Sequence, residues 1–246
     1  MRLYFIFLAL TLLSYVHSEQ TLPFPERPEG FSIGAPNPVL HIEAFWDVSC
    51  SDCKESKPFL MKVLNDYNIK TSSLIKLTIH MYSTLSHFNA FLFVKGFKAI
   101  ERVLHDEQDL WNYVDLILDH QEEFYMGATR NMTQKEIAQK LTNLVTTNPN
   151  FTHYNATYFH NSLYDPVIEA KALLNYQLGC QANVIETPTY LANGVAIRGA
   201  ELYEEEEWRK LISQFVKGKQ DSLRETKEIN EDPKAKKNKV SSRSNS

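Results

Sequence analysis

The chain has little cysteine: three in 246 residues, Cys50, Cys53 and Cys180. That is too few for a disulfide-stapled mini-scaffold, and a chain of this length can build a core without one. A second set of zinc ligands is missing as well, because no second Cys-x-x-Cys and no His-x-x-x-His occurs. No metal is therefore assigned. Strong charge of either sign is also lacking. The formal net charge of −4 points to neither nucleic acid nor a polyanion as partner. It conceals an asymmetry, since residues from Lys217 onward carry a surplus of +4 and those before carry −8. After the first twenty residues no apolar run is long enough to span a bilayer, and no internal repeat is found.

What is present begins with a targeting pattern. Arg2 precedes the apolar run "LYFIFLALTLLSYV", and Val16 and Ser18 are small enough for cleavage after Ser18. Residues 1–18 are expected to be a signal peptide, which leaves no transmembrane anchor once removed. Asn131, Asn150 and Asn155 each open an Asn-x-Thr sequon, consistent with a secreted glycoprotein. The ending Ser244-Asn245-Ser246 is not the usual retention tetrapeptide, so secretion and retention in the endoplasmic reticulum lumen both stay open.

Residues 19–37 hold most of the early prolines and are expected to be an extended lead-in. "VLHIEAFWD" predicts a buried strand, the stretch from Cys50 an amphipathic helix with a kink near Pro58, and "LIKLTIHMY" a second strand. Residues 87–180 are mostly helical by periodicity. Within them Thr133 and Glu136 form a capping-box pattern, and Asp165-Pro166 opens a helix with Gly179 as its expected C-cap. "ETPTYLANGVAIRG" predicts strand, Asn193-Gly194 turn and strand. An amphipathic helix follows, with Glu204 to Glu207 as its solvated start. From Lys217 the composition predicts a disordered tail, residues 217–246. The sum is a mixed four-stranded sheet with helices.

The Cys50–Cys53 pair admits three uses: staple, half of a metal site, or redox couple. A three-residue loop constrains little entropy, so it is a poor staple. At a helix N-terminus the first sulfur lies near free N–H groups that favour its thiolate, the nucleophile of disulfide exchange. Cys50 is the expected attacking residue and Cys53 the resolving one.

Strand, Cys-x-x-Cys and helix, followed far downstream by Thr187-Pro188, strand, Asn-Gly and helix, resemble the thioredoxin superfamily over residues 38–216. The helical block makes the resemblance that of its DsbA-like branch, and "SHFNAFLFVKGF" looks like the segment opening that insertion. The resemblance implies an α/β thioredoxin-like mixed sheet flanked by helices, with an all-helical insertion over about 87–180. It implies thiol–disulfide exchange with substrate proteins without a cofactor, glutathione being an optional redox partner. It also implies that Pro188 is cis and that Thr187 and Pro188 face the cysteines and pair with an extended substrate peptide.

Two departures from the branch stand out. Ser51-Asp52 lies where strongly oxidising relatives carry proline and histidine, and a carboxylate at Asp52 is expected to disfavour the thiolate. Ser49 occupies a position where an aromatic residue is common. The alternatives are a peptide-binding or chaperone-like module on the same fold, and a glutathione-dependent transferase or isomerase of kappa-type architecture. Cys180 is expected to be a small buried residue rather than a regulatory thiol. Trp46, Trp111 and Trp208 are expected in the core, and His41 and His80 as hydrogen-bonded structural residues.

Overall fold

A computed structural model describes residues 29–231. Residues 1–18, the first ten positions of the lead-in and residues 232–246 lie outside the described residues. The central unit is β2 (Leu40–Trp46), α1 (Ser51–Asp66) and β3 (Ile75–Met81), with β2 and β3 parallel. In β2 alternate residues Leu40, Ile42, Ala44 and Trp46 are fully buried, which fixes the face that packs into the core. α1 runs unbroken through Pro58 and buries Cys53, Ser56, Leu60, Val63 and Leu64 on one stripe.

The sheet has five strands in the order β1-β3-β2-β4-β5, one more than the sequence pattern predicts. β1 (Phe31–Gly34) pairs antiparallel with β3 and lies inside the segment expected to be an unfolded lead-in. The reason is local. "FSIG" is free of proline between Pro28 and Pro36 and offers Phe31, buried against Phe97 and Trp111, to the core. At the other edge β4 (Thr189–Ala192) pairs antiparallel with β2 and then with β5 (Val195–Ala196). Asn193 and Gly194 between them have φ of 49° and 80°, the left-handed pair that a tight hairpin requires.

Between β3 and β4 every described element is helical. They are α2 (Ala90–Arg102), α3 (Gln108–His120), α4 (Met126–Thr129), α5 (Gln134–Thr147), α6 (Ala156–Ser162) and α7 (Pro166–Gln181), with short 3-10 turns at Gln121–Phe124 and Pro149–Phe151. The Thr133–Glu136 capping box forms in both directions, and Asp165 caps α7 by accepting from the Val167 N–H at 2.8 Å. Gly179 is not a C-cap. α7 continues to Gln181, and Gly179 sits where a Cβ would come within 2.2 Å of the Tyr82 ring, so its smallness serves packing.

α8 (Glu205–Glu231) closes the fold, with Trp208 and Ile212 buried and Glu205 and Arg209 paired to Lys62 and Asp66 of α1. It runs well past Lys217, so the expected disordered tail is corrected as far as Glu231. Once packed turns have supplied the nucleus, Lys, Glu and Gln extend a helix at little cost, even without an apolar face. No helix among the described residues is long and apolar enough to cross a membrane.

Candidate active site at the N-terminus of helix α1

Cys50 is the N-cap of α1, with extended backbone angles (φ −84°, ψ 127°). Its own N–H donates to the Asp47 carbonyl at 2.9 Å, which tightens the turn leaving β2. The helical insertion clamps that turn from above. Buried Gln121 donates through Nε2 to the carbonyls of Val48 and Cys50 at 2.9 and 3.2 Å, and Tyr125 in turn donates to Gln121 Oε1.

Opposite the cysteines the Thr187–Pro188 peptide is cis. As a thiol, Cys50 Sγ donates to the Thr187 carbonyl at 3.1 Å. A thiolate would instead need a donor, and the Thr187 hydroxyl, buried and without a hydrogen-bond partner, is one. The structure thus brings Cys50, Cys53, Thr187 and Pro188 to one place.

The two thiols differ in chemistry. The Cys50 thiol is lowered from about 9 to about 6, chiefly by a hydrogen bond from Cys53. Burial opposes this, while Thr187 and the backbone N–H groups of Cys53 and Asp52 assist it. Cys53 is fully buried and is pushed well up, first by burial and then by the bond and charge of Cys50; the Asp47 main-chain bond opposes this and the Asp47 charge adds to it. At neutral pH the Cys50 sulfur is thus the readier of the two to ionise, and Cys53 is the one that holds its proton.

Asp52 faces solvent. Its side chain is exposed and accepts from the Ser51 hydroxyl at 3.2 Å, while its main-chain N–H favours the thiolate. Solvent weakens the like-charge repulsion that the sequence suggests, and the helix end outweighs it.

Sequence reasoning missed Asp47, His87 and Gln121, and it noted Ser49 only as a departure from the usual aromatic residue. Asp47 is fully buried, and Ser49 contributes a second buried hydroxyl without a partner. The signal for Asp47 was its place directly after an apolar strand, where a carboxylate is costly unless bonded. His87 follows β3 and meets Asp47 across 40 positions of sequence. Exposed Phe88 and Met126 line a cleft together with Ser49 and Ser51, the neighbours of Cys50.

The remaining residues fall elsewhere. Cys180 is exposed rather than buried, beside Tyr82 and Tyr176 at the end of α7. Trp46 and Trp208 are core, and Trp111 packs on it partly buried. His41 Nε2 is 2.7 Å from the Thr78 hydroxyl, and His80 stacks on Phe45 and reaches Glu43 at 3.2 Å, so both are held structurally. Both line a cavity of about 710 Å³ over the opposite sheet face. Asn131, Asn150 and Asn155 are all exposed. Among the described residues no three His, Cys, Asp or Glu side chains form a ligand set for a metal ion.

Comparison with known proteins agrees with this geometry. A thioredoxin family model matches residues 26–214. The solved structure of Wolbachia pipientis alpha-DsbA1 superposes with a TM-score of 0.60 at 12% identity, covering 82% of this chain and 97% of that one. Chlamydia trachomatis DsbA gives 0.58 at 18% identity, with 80% and 97% covered. The thiol-disulfide exchange protein alpha-DsbA2 of Wolbachia pipientis gives 0.53 at 19% identity, with 75% and 86% covered. No curated protein matches the chain. These likenesses extend over the sheet and the helical insertion together.

Proposed function

Because the chain belongs to the thioredoxin family, we propose that it is a thiol–disulfide oxidoreductase of the secretory pathway, exchanging disulfides with substrate proteins through Cys50 and Cys53. The observation that carries this reading is the split between the two thiols: Cys50 lowered to about 6 at a helix N-cap, Cys53 buried and pushed up. A structural staple has no use for such a split. A nucleophile and its resolving partner require it. One structural neighbour is itself described as a thiol-disulfide exchange protein.

In the oxidising direction a substrate thiolate attacks Cys50 Sγ of the Cys50–Cys53 disulfide. A substrate–Cys50 bond forms, and the Cys53 sulfur leaves and takes up a proton. A second substrate thiolate then attacks the substrate sulfur, and Cys50 departs as a thiolate. The substrate dithiol is oxidised and the cysteine pair reduced. Run backwards, the same steps reduce a substrate disulfide; glutathione disulfide can re-oxidise the pair in the first direction, and two reduced glutathione molecules can reduce it in the second, leaving as glutathione disulfide.

Thr187 and Pro188 form the substrate-binding wall in this reading. The main chain at the cis Thr187–Pro188 bond, whose carbonyl lies 3.1 Å from Cys50 Sγ, is the partner for an extended peptide. The exposed Phe88 and Met126, in the cleft beside Ser49 and Ser51, give an unfolded substrate an apolar contact. Secretory entry rests on the N-terminal pattern of residues 1–18, and the exposure of Asn131, Asn150 and Asn155 suits glycosylation.

Replacing the resolving thiol provides the test. In Cys53→Ser, Cys50 attacks but cannot release its partner, so reductant-sensitive adducts with secretory proteins should accumulate. They should be absent in Cys50→Ser. Partners that associate non-covalently and equally well with both variants would instead make this a peptide-binding module.

A further inference from the structure

The carboxylate of Asp47 is fully buried directly behind the cysteine turn, yet every bond to it is specific. Oδ1 accepts from the Ser49 N–H at 2.8 Å; Oδ2 accepts from the Thr84 N–H and hydroxyl, both at 2.9 Å, and from His87 Nδ1 at 2.8 Å. Nδ1 therefore carries a proton, because a carboxylate only accepts. The imidazole of His87 is about one-quarter exposed and forms part of two adjoining clefts. One is lined by Ser49 and Ser51, the residues flanking Cys50, together with Tyr125 and Met126. The other reaches Leu173 and Tyr176 of α7. Neither cleft is lined by a lysine or an arginine.

The pair has its two ends at different sulfurs. The main chain of Asp47 bonds the Cys53 sulfur and favours its thiolate, while the Asp47 carboxylate charge works against that bond and disfavours ionisation of Cys53. The His87 imidazolium is raised first by its bond to Asp47, against burial, with smaller contributions from the Asp47, Cys50 and Asp52 charges. Resting on the reading of Cys50–Cys53 as the exchanging couple, we propose that Asp47 and His87 form a fixed ion pair that polarises it, anion behind Cys53 and cation toward Cys50, so that the reduced protein carries its negative charge on Cys50. His87 then supplies, from the loop after β3, the positive charge that Ser51-Asp52 cannot supply from between the cysteines. Both are positioning residues.

The groups facing His87 from each neighbouring element are few. They are Asp47 at the end of β2, Cys50 and Asp52 at the start of α1, Tyr125 after the Gln121–Phe124 turn, and Tyr176 on α7. Of these only Cys50 changes charge with redox state, so the coupling has a single partner.

The test uses the full chain and needs no substrate. By magnetic resonance, the His87 imidazole should titrate at higher pH in the reduced wild-type protein than in its Cys50–Cys53 disulfide form. Equal midpoints would overturn the proposal. In reduced His87→Gln, which keeps a donor for Asp47 but no charge, alkylation of Cys50 at pH 6 should slow about fivefold and converge on wild type by pH 9. His87→Lys should restore the rate at pH 6. If the loop is merely tied down by His87, both variants slow alike at every pH, which contradicts the charge role. A protein that never forms the Cys50–Cys53 disulfide fails the oxidoreductase reading instead. The alkylation series still decides the ion pair in that case.

Discussion

Cys50 and Cys180 each stand at the end of a sixteen-residue helix, at opposite ends. Cys50 is the N-cap of α1, where unpaired N–H groups converge, and Cys180 lies in the last turn of α7, where carbonyls do. The buried sulfur is the activated one, with a second thiol, a threonine hydroxyl and two backbone N–H groups around it. The exposed sulfur has two tyrosines for company. The two positions differ in the backbone groups they face, N–H groups of a helix start at Cys50 and carbonyls of a helix end at Cys180, and only the first favour a thiolate.

The largest break in that comparison comes from removing each thiol. Cys50→Ser should cut disulfide exchange with a model dithiol substrate by at least about a thousandfold, whereas Cys180→Ser should stay within about twofold. Comparable losses in both would place Cys180 in the reaction.

Next in size is the pH dependence. The Cys50 value is depressed from about 9 to about 6, so its contribution to the reduced fold is present above about 9 and lost as pH falls through about 6. Alkylation of Cys50 in the reduced protein should rise through a midpoint near 6. At pH 7 it should run about tenfold or more faster than an unperturbed thiol of equal access. The reduced chain should also lose stability relative to the oxidised chain as pH drops through that midpoint, read from paired denaturant curves.

A smaller effect tests the packing beneath Cys180. Gly179→Ala places a methyl against the Tyr82 ring and should cost about 1–3 kcal/mol in chemical denaturation. Unchanged stability would mean that the ring moves aside freely. Smallest of all, Asp52→Asn should alter Cys50 alkylation by less than about twofold, because the side chain is exposed and its N–H is retained. A large acceleration would restore the repulsion argument.

These cases show what a linear reading captures. The β2–α1–β3 unit, the Thr133–Glu136 box, the Asn193-Gly194 turn and the cysteine pair with Thr187-Pro188 are local or strongly patterned, and all are legible. β1 was hidden because proline on both sides masks four residues that are held by pairing with β3. The extension of α8 was hidden because composition reports core-forming ability, whereas a started helix needs only propensity. At the site, the weight of the Asp52 charge is not legible from adjacency alone, since its side chain lies exposed to solvent. Asp47 and His87 were missed for the converse reason. They meet only after the strand and the following loop are folded together. Cys180 was assigned to the interior on the habits of its residue type, but α7 turns it outward.

Equilibration of the full chain across a series of glutathione redox buffers, followed by acid quenching, alkylation and peptide mapping, tests the central claim most directly. The account predicts a reversible Cys50–Cys53 disulfide that appears and disappears in a single two-electron transition, with Cys180 alkylated throughout. A bridge from Cys180 to either partner, or a Cys50–Cys53 pair that stays reduced over the whole range, would contradict it.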